Sequence, residues 1–276
     1  MPLTTRICIL IGGFFNQFGW VFFGFGLIFV WVFALNADVS FPRFSNNIVT
    51  TEGIITNKIR SSASENDRRI FEYHYKFLTP QELEFEGVSY STRRTTIVGD
   101  QVAIEYAEGN PENSKIKGMR KQTFGPFVLF VIIFPLAGLV FIIIGLKKSL
   151  KALKLLRYGR ISTGKLISKV PTNVRINKRT VYELTFQFKD HLGREHTASE
   201  KTHLPHLLED NGEEQLLYLA ENPSYAVMLD SLPSSPKIDR RGDIQATSFI
   251  KSLLLLVIPL ATLIGHGYYI FLRFIN

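Results

Sequence analysis

The sequence predicts a membrane protein of mixed α and β structure, in which three transmembrane helices alternate with two homologous small β-barrel or sandwich domains. Three long apolar runs predict the helices. Two polar regions between them have the alternating pattern of β-strands and repeat the same motifs in the same order. The predicted parts are a first helix with linker, 1–47; β domain copy A, 48–121; a second helix with a basic extension, 122–158; β domain copy B, 159–235; and a linker with the third helix, 236–276.

The first apolar run extends without a charge from Ile7 to Leu35. A helix needs roughly 20 apolar residues to cross a bilayer, so this run is long enough to cross with some tilt. A cleaved signal peptide would use Arg6 as its basic start, but its apolar region would be too long and no convincing cleavage site follows. We therefore expect an uncleaved membrane anchor.

Two further apolar runs predict the second and third spans. The second extends from Phe124 to Leu146, with Pro135 near its middle, and the third extends from Phe249 to Ile275. A buried helix of a soluble protein would explain one such run. Three runs above the spanning length indicate a membrane protein.

The distribution of cations predicts the orientation of the chain. Six cations follow the second span: Lys147, Lys148, Lys151, Lys154, Arg157 and Arg160. Another group flanks the start of the third span: Lys237, Arg240, Arg241 and Lys251. Because cytoplasmic flanks are rich in Lys and Arg, we expect copy B in the cytoplasm and copy A outside. Four cations before the second span argue the other way: Lys115, Lys117, Arg120 and Lys121.

The net charge of +8 is typical of proteins that bind nucleic acid or anionic membranes. Because much of the excess lies beside the apolar runs, we expect the lipid bilayer, and not nucleic acid, as a partner. The single cysteine, Cys8, excludes an intrachain disulfide framework and a Cys-x-x-Cys site.

The two polar regions predict one module present twice. Gly53 belongs to the opening segment of copy A, and Gly164 opens copy B 111 residues later. At the same offset, the segment FEYHYKF around Tyr73 corresponds to YELTFQF around Leu184. Both segments alternate apolar and polar residues, which predicts strands with one buried face.

Each copy then passes a glycine, Gly87 or Gly193, and ends with a strand and a turn. Proline disfavours helix at the residue before it, so an Asn-Pro pair after a strand predicts a turn. The residues of this motif, at an offset of 112, are Tyr106, Asn110 and Pro111 in copy A and Tyr218, Asn222 and Pro223 in copy B. A final short strand follows, near 114–116 and 226–229, and the polar segments 60–69 and 171–179 are expected to form mobile loops.

These motifs resemble a widespread bacterial family whose members join a small β domain of unknown function to transmembrane helices, some of them with two copies. The resemblance covers both polar regions and the basic exit of the second span. It implies a duplicated β domain and a location in a bacterial inner (plasma) membrane. It brings no reaction, cofactor or active site because its motifs are structural. Copy A departs from the pattern at Glu52, where the family has threonine, and in its long polar tip.

One group of side chains in copy B has spacings that could hold a metal: His196, Glu200, His203 and His206. Imidazole and carboxylate ligands suit zinc. However, a strand leading into a polar loop does not fix this spacing as a helix would. We therefore expect a solvated loop without metal, and zinc binding that does not weaken when His203 and His206 are changed to Ala.

Motifs for catalysis and cofactor binding are missing from the sequence, which has no Gly-x-Ser-x-Gly elbow, Walker loop, Rossmann glycine set or His-Glu-x-x-His. The residues that the two copies share are aromatic or turn-forming, whereas a hydrolase needs a nucleophile with its base. We expect a protein that is not an enzyme and has no cofactor.

Small and polar residues inside the spans predict helix contacts, because polar groups are costly in lipid and small ones allow close approach. Those in the first span share one face: Gly12, Asn16, Gly19 and Gly26. Those in the third span are Ala261, Gly265 and His266. We expect them to join the three helices into one bundle. A homo-oligomer contact through the first helix, or a polar site for a proton or ligand, is the alternative.

The end of the second span has Leu146, Leu150 and Leu153 on one face and cations on another. This pattern predicts a basic amphipathic helix lying at the cytoplasmic membrane surface. The cations of this extension are Lys147, Lys148, Lys151, Lys154 and Arg157.

The leading functional hypothesis is a non-enzymatic membrane protein whose duplicated β domains bind or scaffold another protein. An accessory subunit of a transport or secretion complex, using its spans for the key contacts, is the alternative. A membrane-bound hydrolase is a third and weaker hypothesis.

Overall fold

The computed structural model describes residues 1–44, 47–208, 213–239 and 243–275, so the cations Arg240 and Arg241 lie outside the described residues. The fold is α+β, with three candidate membrane helices and two five-stranded antiparallel sheets. The chain divides into two compact units. The first comprises Met1–Gly24 and Leu136–Asn276, and the second comprises Phe25–Pro135.

The α-helices are α1 (Leu3–Ile11), α2 (Phe14–Val32), α3 (Ile133–Tyr158) and α4 (Phe249–Phe274). The three segments long and apolar enough to cross a membrane are Phe14–Asn36, Pro126–Tyr158 and Phe249–Phe274, which confirms the three predicted spans. In the second of these, a 3₁₀ segment, Pro126–Ile132, precedes α3. Pro135 therefore lies in the first turn of α3, where its missing N–H costs no helical hydrogen bond.

The first apolar run is two helices and not one, because the helix breaks at Gly12. The N–H of Gly12 still donates to the carbonyl of Cys8, and the hydroxyl of Ser234 donates to the same carbonyl at 2.7 Å. A Cβ on Gly12 would overlap Ser234 Oγ and the Cys8 carbonyl and lie 2.8 Å from Leu255 Cδ1. The spanning helix therefore starts at Phe14, and α1 is a separate segment.

Copy A forms the first sheet, with strand order β3-β2-β1-β4-β5. The N–H of Ile116 on one edge strand donates to Ser89 Oγ on the other at 2.9 Å, so the sheet is nearly a barrel. The core inside it is aromatic: Tyr73, Tyr75, Phe77 and Tyr106 pack with Ile55, Ile104, Ile116 and Met119. The strands are β1 (Ile48–Glu65), β2 (Arg68–Leu78), β3 (Glu84–Ser91), β4 (Gln101–Ala107) and β5 (Asn110–Ile116).

Copy B forms the second sheet, with strand order β10-β9-β6-β7-β8. Its inner core corresponds to that of copy A, with Leu184, Phe186, Phe188, Leu216, Tyr218 and Met228 among its members. The strands are β6 (Arg160–Ile176), β7 (Arg179–Lys189), β8 (Glu195–Thr202), β9 (Glu213–Leu219) and β10 (Asn222–Met228).

The internal repeat extends to the register of the strands. Gly53 pairs with Phe77 in copy A, and Gly164 pairs with Phe188 in copy B, at the predicted offset of 111. The two bulges of the central strand also recur, after Ile55 and Arg60 in copy A and after Leu166 and Pro171 in copy B. Bulges are specific features of a sheet, so their recurrence indicates two copies of one module.

The segments 60–69 and 171–179 are not the loops that the sequence predicted. They continue the strands as long hairpins, and only two residues at each tip turn the chain. The tip residues, Asn66-Asp67 and Asn177-Lys178, all have positive φ. Asparagine tolerates this conformation, which is that of the two-residue turns favoured in hairpins.

Two smaller predictions also need correction. The Asn-Pro pairs are not turns but begin β5 and β10, and the turn residues precede them. Proline at the first positions of a strand removes no central ladder bond. Gly87 and Gly193 are not equivalent either, because Gly87 lies within β3 and Gly193 occupies the β7–β8 turn with φ of 78°.

Candidate functional site

The basic end of α3 packs on the outer face of copy B. The helix continues without a break to Tyr158, and its buried residues Ala152 and Leu155 contact Leu217 and Leu219 of β9. Ile9 of α1 and Leu232 complete this cluster. Of the predicted lipid-facing leucines, Leu146 and Leu150 are exposed, whereas Leu153 packs partly against this cluster.

Aromatic rings position the lysines of this helix end. The Nζ atom of Lys148 lies 4.6 Å from the centroid of Phe15, and that of Lys151 lies 4.5 Å from the centroid of Tyr225. Lys154 also faces Tyr225, at 5.8 Å. Cations are attracted to ring faces at these distances, and the attraction restricts where the ammonium groups lie.

A cavity of about 190 Å³ lies beside these lysines. Charged and hydroxyl side chains occupy part of its wall, and apolar side chains occupy the rest. The lining residues are Lys148, Lys151, Ala152, Glu200, Val227, Ser231, Leu232 and Pro233. All of them belong to one compact unit of the chain.

Glu200 is the acidic member of this cavity. It pairs with Leu184 in the sheet, as Ser89 pairs with Tyr73 in copy A, so the two residues are equivalent in the repeat. Burial raises the pKa of Glu200 above its ordinary value, while Lys148, a hydrogen bond from Ser231 and Lys151 act in the opposite direction. A carboxyl group therefore replaces the hydroxyl that closes the barrel of copy A.

The structure does not bring the four metal candidates together. Among the described residues, no group of three or more His, Cys, Asp or Glu side chains could hold a metal ion. His196 Nε2 lies 3.0 Å from Asp190 Oδ2, and Glu200 faces the lysine cavity. His203 and His206 follow β8 in the polar segment that leads to the next strand.

Asp190 organises the β7–β8 turn. Its side chain is fully buried and accepts hydrogen bonds from the N–H groups of Leu192 and Arg194, at 2.8 and 2.9 Å, and from Arg194 Nε at 3.0 Å. Burial alone would raise the pKa of Asp190, but hydrogen bonds from Arg194, His196 and Leu192 outweigh it and hold the pKa well below its ordinary value. Sequence reasoning singled out His196 and missed this aspartate.

The small residues of the first span face α3 of the same chain. A Cβ on Gly19 would lie 2.7 Å from the backbone nitrogen of Ile142, and one on Gly26 would lie 2.6 Å from that of Pro135. Asn16 is buried, and its Nδ2 donates to the Leu10 carbonyl at 2.6 Å. Because α3 covers this face, a second copy would have to use another face of the helix.

The small residues of α4 have a different environment. Ala261 and Gly265 are exposed, and no atom lies within 4 Å of a Cβ placed on Gly265. His266 instead turns inward, where its Nε2 lies 2.9 Å from the carbonyl oxygen of Gly24. One face of α4 thus contacts α2, and the face with Ala261 and Gly265 remains open.

A second concave surface lies on the outside of copy A. This groove has a volume of about 360 Å³ and contains the exposed apolar side chains of Ile54 and Leu78. Lys76 and Glu84 at its margin lie 3.7 Å apart. Its full lining is Thr51, Glu52, Gly53, Ile54, Lys76, Phe77, Leu78, Glu84 and Gln101. Sequence reasoning missed this surface because its residues come from several strands.

Comparison with known proteins identifies no family for the chain. No protein-family model matches it, and no curated protein matches it. One matching solved structure is described as "Structure and Conformational Change of a Replication Protein A Heterotrimer Bound to ssDNA". The match has 9% sequence identity and a TM-score of 0.18, and it covers 77% of this chain and 52% of the other. The chain thus spans about half of that protein, and so low a TM-score supports no conclusion about fold or function.

Proposed function

We propose that the protein is a non-enzymatic membrane scaffold in which copy B is a fixed platform and copy A binds another protein. The observation that supports this most is a difference between equivalent strands. In β9, Leu217 and Leu219 face α3, whereas the equivalent residues of β4 are Glu105 and Ala107. Copy B therefore carries an apolar outer surface for its own helix, and copy A does not.

The groove of copy A is the surface proposed for the partner. It combines exposed apolar side chains with charged margins, which is the composition of surfaces that bind proteins. The proposal belongs to the non-enzymatic class because two of the buried polar side chains, Asp190 and Asn16, bond the backbone of a turn and of a helix end. The motifs that resemble the bacterial β-domain family also support a structural module.

Replacement of Ile54 and Leu78 by Asp tests this role. We expect the full-length protein, tagged and cross-linked in its native membrane, to lose at least tenfold of one specific cross-linked partner. A matched control changes Val174 and Ile176 of copy B to Asp, because these side chains are about equally exposed. The proposal fails if both variants retain the partner equally, or if both lose it.

For the orientation, we propose copy A outside and copy B in the cytoplasm of a bacterial cell. The cations that argued against this are partly neutralised: Arg120 donates to Glu65 at 2.7 Å, and Lys115 lies 3.9 Å from Glu105. By contrast, no ion pair joins the basic end of α3 to an acid among the described residues. The count of cations, six after the second span against four before it, also favours copy B in the cytoplasm.

Single cysteines at the two hairpins test the orientation in a Cys8→Ser background. Ser64→Cys and Arg175→Cys are matched positions, since both are exposed and equivalent in the repeat. An impermeant maleimide should label only Ser64→Cys in intact cells and both variants in lysed cells. Labelling of Arg175→Cys alone in intact cells would reverse the orientation, and labelling of both would place the domains on one side.

An accessory subunit of a membrane complex is the second candidate function. The exposed face of α4 with Ala261 and Gly265 favours it, because small residues allow another helix to approach closely. Deletion of copy A separates the two functions. A scaffold loses its partner on this deletion, whereas an accessory subunit retains it and loses it instead on Gly265→Leu.

A further inference from the structure

The lysine cavity of copy B lies where α3 leaves its apolar run. Leu146 is the last residue of that run, and Lys148 is two residues further along the helix. Head-group phosphates lie at this level of a bilayer, just outside the hydrocarbon core. Any lipid beside α3 would therefore place its head group next to the cavity.

The positively charged and negatively charged side chains of the cavity do not pair with each other. The ammonium groups of Lys148 and Lys151 rest against Phe15 and Tyr225. Glu200 forms no ion pair within 4.0 Å with either lysine, although all three line the same cavity. The space between them can therefore hold a ligand that contacts both charges.

The position of Glu200 favours a zwitterion over a simple anion. A carboxylate in an anion site repels the ligand, and its partial burial is costly unless a positive group compensates it. In copy A the equivalent residue is Ser89, which closes the barrel. Copy B thus has a partly buried acid where copy A has a small hydroxyl.

We propose that this cavity binds the phosphoethanolamine head group of a membrane phospholipid, with its phosphate on Lys148 and Lys151 and its primary ammonium on Glu200. Ser231 lines the same cavity and can donate a hydrogen bond to this carboxylate. Val227, Leu232 and Pro233 provide an apolar wall for the ethylene and glycerol carbons. At about 190 Å³ the cavity is smaller than the roughly 300–1,000 Å³ typical of ligand pockets, which suits a head group alone.

The test measures which phospholipids the purified full-length chain retains. Native mass spectrometry from nanodiscs with equal parts of ethanolamine, glycerol and choline phospholipids should show at least fivefold enrichment of the ethanolamine lipid. Stepwise N-methylation of that lipid should reduce retention at each step, because each methyl group removes an N–H that can donate to Glu200. This series needs no variant. Equal retention of all head groups would overturn the proposal.

Variants then test which side chains bind the ammonium group and which bind the phosphate. Glu200→Gln should abolish the preference for ethanolamine over glycerol lipid, and Lys148→Met with Lys151→Met should abolish retention of both. The control Lys147→Met with Lys154→Met removes the same charge from the same helix but does not line the cavity, and it should keep the preference. A preference that survives Glu200→Gln, or that the control removes equally, would contradict the site.

Soluble phosphoethanolamine separates a lipid site from a site for a free metabolite. If the lipid is the ligand, millimolar phosphoethanolamine should displace less than half of the retained ethanolamine lipid, because the acyl chains hold the lipid beside α3. Complete displacement at micromolar concentration would show that the free compound is the ligand, and the proposal of a phospholipid would be wrong.

Discussion

The two β domains share strand order, register and bulges, yet different environments surround their fourth strands. In copy A, β4 alternates between the buried side chains of Ile104 and Tyr106 and outward residues that are more exposed. In copy B, the last four residues of β9 are all buried, because α3 and α1 cover the outer face. One module thus occurs with its fourth strand partly exposed in copy A and with the equivalent strand covered by α3 and α1 in copy B.

The largest expected difference concerns the face under α3. Leu217→Glu gives copy B the residue of copy A and places a charge in the apolar cluster with Ala152 and Leu155. We expect it to destabilise copy B by about 4 kcal/mol or more, since an unpaired buried charge is among the most damaging substitutions. Pulse proteolysis in urea, with fragments assigned by mass spectrometry, measures each copy separately.

The reciprocal change is the control. Glu105→Leu in copy A should alter its stability by no more than about 1 kcal/mol, because this partly buried side chain keeps its carbon contacts as leucine and loses only a long ion pair, 3.9 Å, with Lys115. Equal effects of the two substitutions would mean that α3 does not cover β9 in the way described.

Substitution of the central-strand glycines by alanine should also cost different amounts of stability in the two copies, but the difference should be smaller. A Cβ on Gly53 would lie 2.8 Å from the carbonyl oxygen of Lys76 and 2.7 Å from Ile104 Cγ1. On Gly164 the nearest atoms belong to side chains, at 2.9 and 3.1 Å, and the nearest backbone atom is at 3.8 Å. We therefore expect Gly53→Ala to cost about 2–3 kcal/mol and Gly164→Ala about 1 kcal/mol in the same assay. A larger cost in copy B would contradict this order.

The turn after the second strand of each copy should respond differently to acid. Copy B uses Asp190, whereas the equivalent residue of copy A is Thr79, which bonds the backbone of Leu83 and does not titrate. The folded pKa of Asp190 is lowered, so its stabilisation is present above the unfolded value of about 3.9 and is lost as the pH falls below it.

Acid titration of the two copies checks this difference. Between pH 5 and 2 the urea midpoint of copy B should fall more steeply than that of the Asp190→Asn variant, in which this dependence is absent. An unchanged slope in the variant would show that Asp190 is not responsible.

The smallest expected effect concerns the hairpin tips. The second tip residues, Asp67 and Lys178, have φ of 60° and 65°, which glycine adopts without strain. Asp67→Gly and Lys178→Gly should each stabilise their copy by up to about 1 kcal/mol, because Asn-Gly is the preferred pair in such turns. Destabilisation of either copy would mean that the tip conformation differs from the one described.

The sequence predicted the parts of the fold that depend on local pattern. Apolar length predicted the three spans, and alternation at a fixed offset predicted the duplicated sheet. Features that depend on contacts between residues distant in sequence were predicted poorly. The break at Gly12 arises from the approach of Ser234 and Leu255, which no local pattern reports.

The candidate site was harder to predict for a similar reason. His196 and Glu200 are close in sequence, which made them candidates for a metal site although a solvated loop was expected. In the structure His196 faces Asp190, and Glu200 faces the lysines of α3. Two signals were present in the sequence. The run Leu216–Leu219 departs from alternation, which indicates a strand buried on both faces. The offset of 111 places Glu200 opposite Ser89, which marks a residue whose role changed between the copies.

Separate expression of the two domains tests the central difference most directly. Residues 48–121 contain the complete core of copy A and should give a monomer with a dispersed NMR spectrum in water. Residues 159–235 leave Leu217 and Leu219 uncovered and should aggregate, or fold only when 133–158 is attached in detergent. If 159–235 alone folds as well as 48–121, copy B does not depend on α3, and the proposed difference between the two copies is wrong.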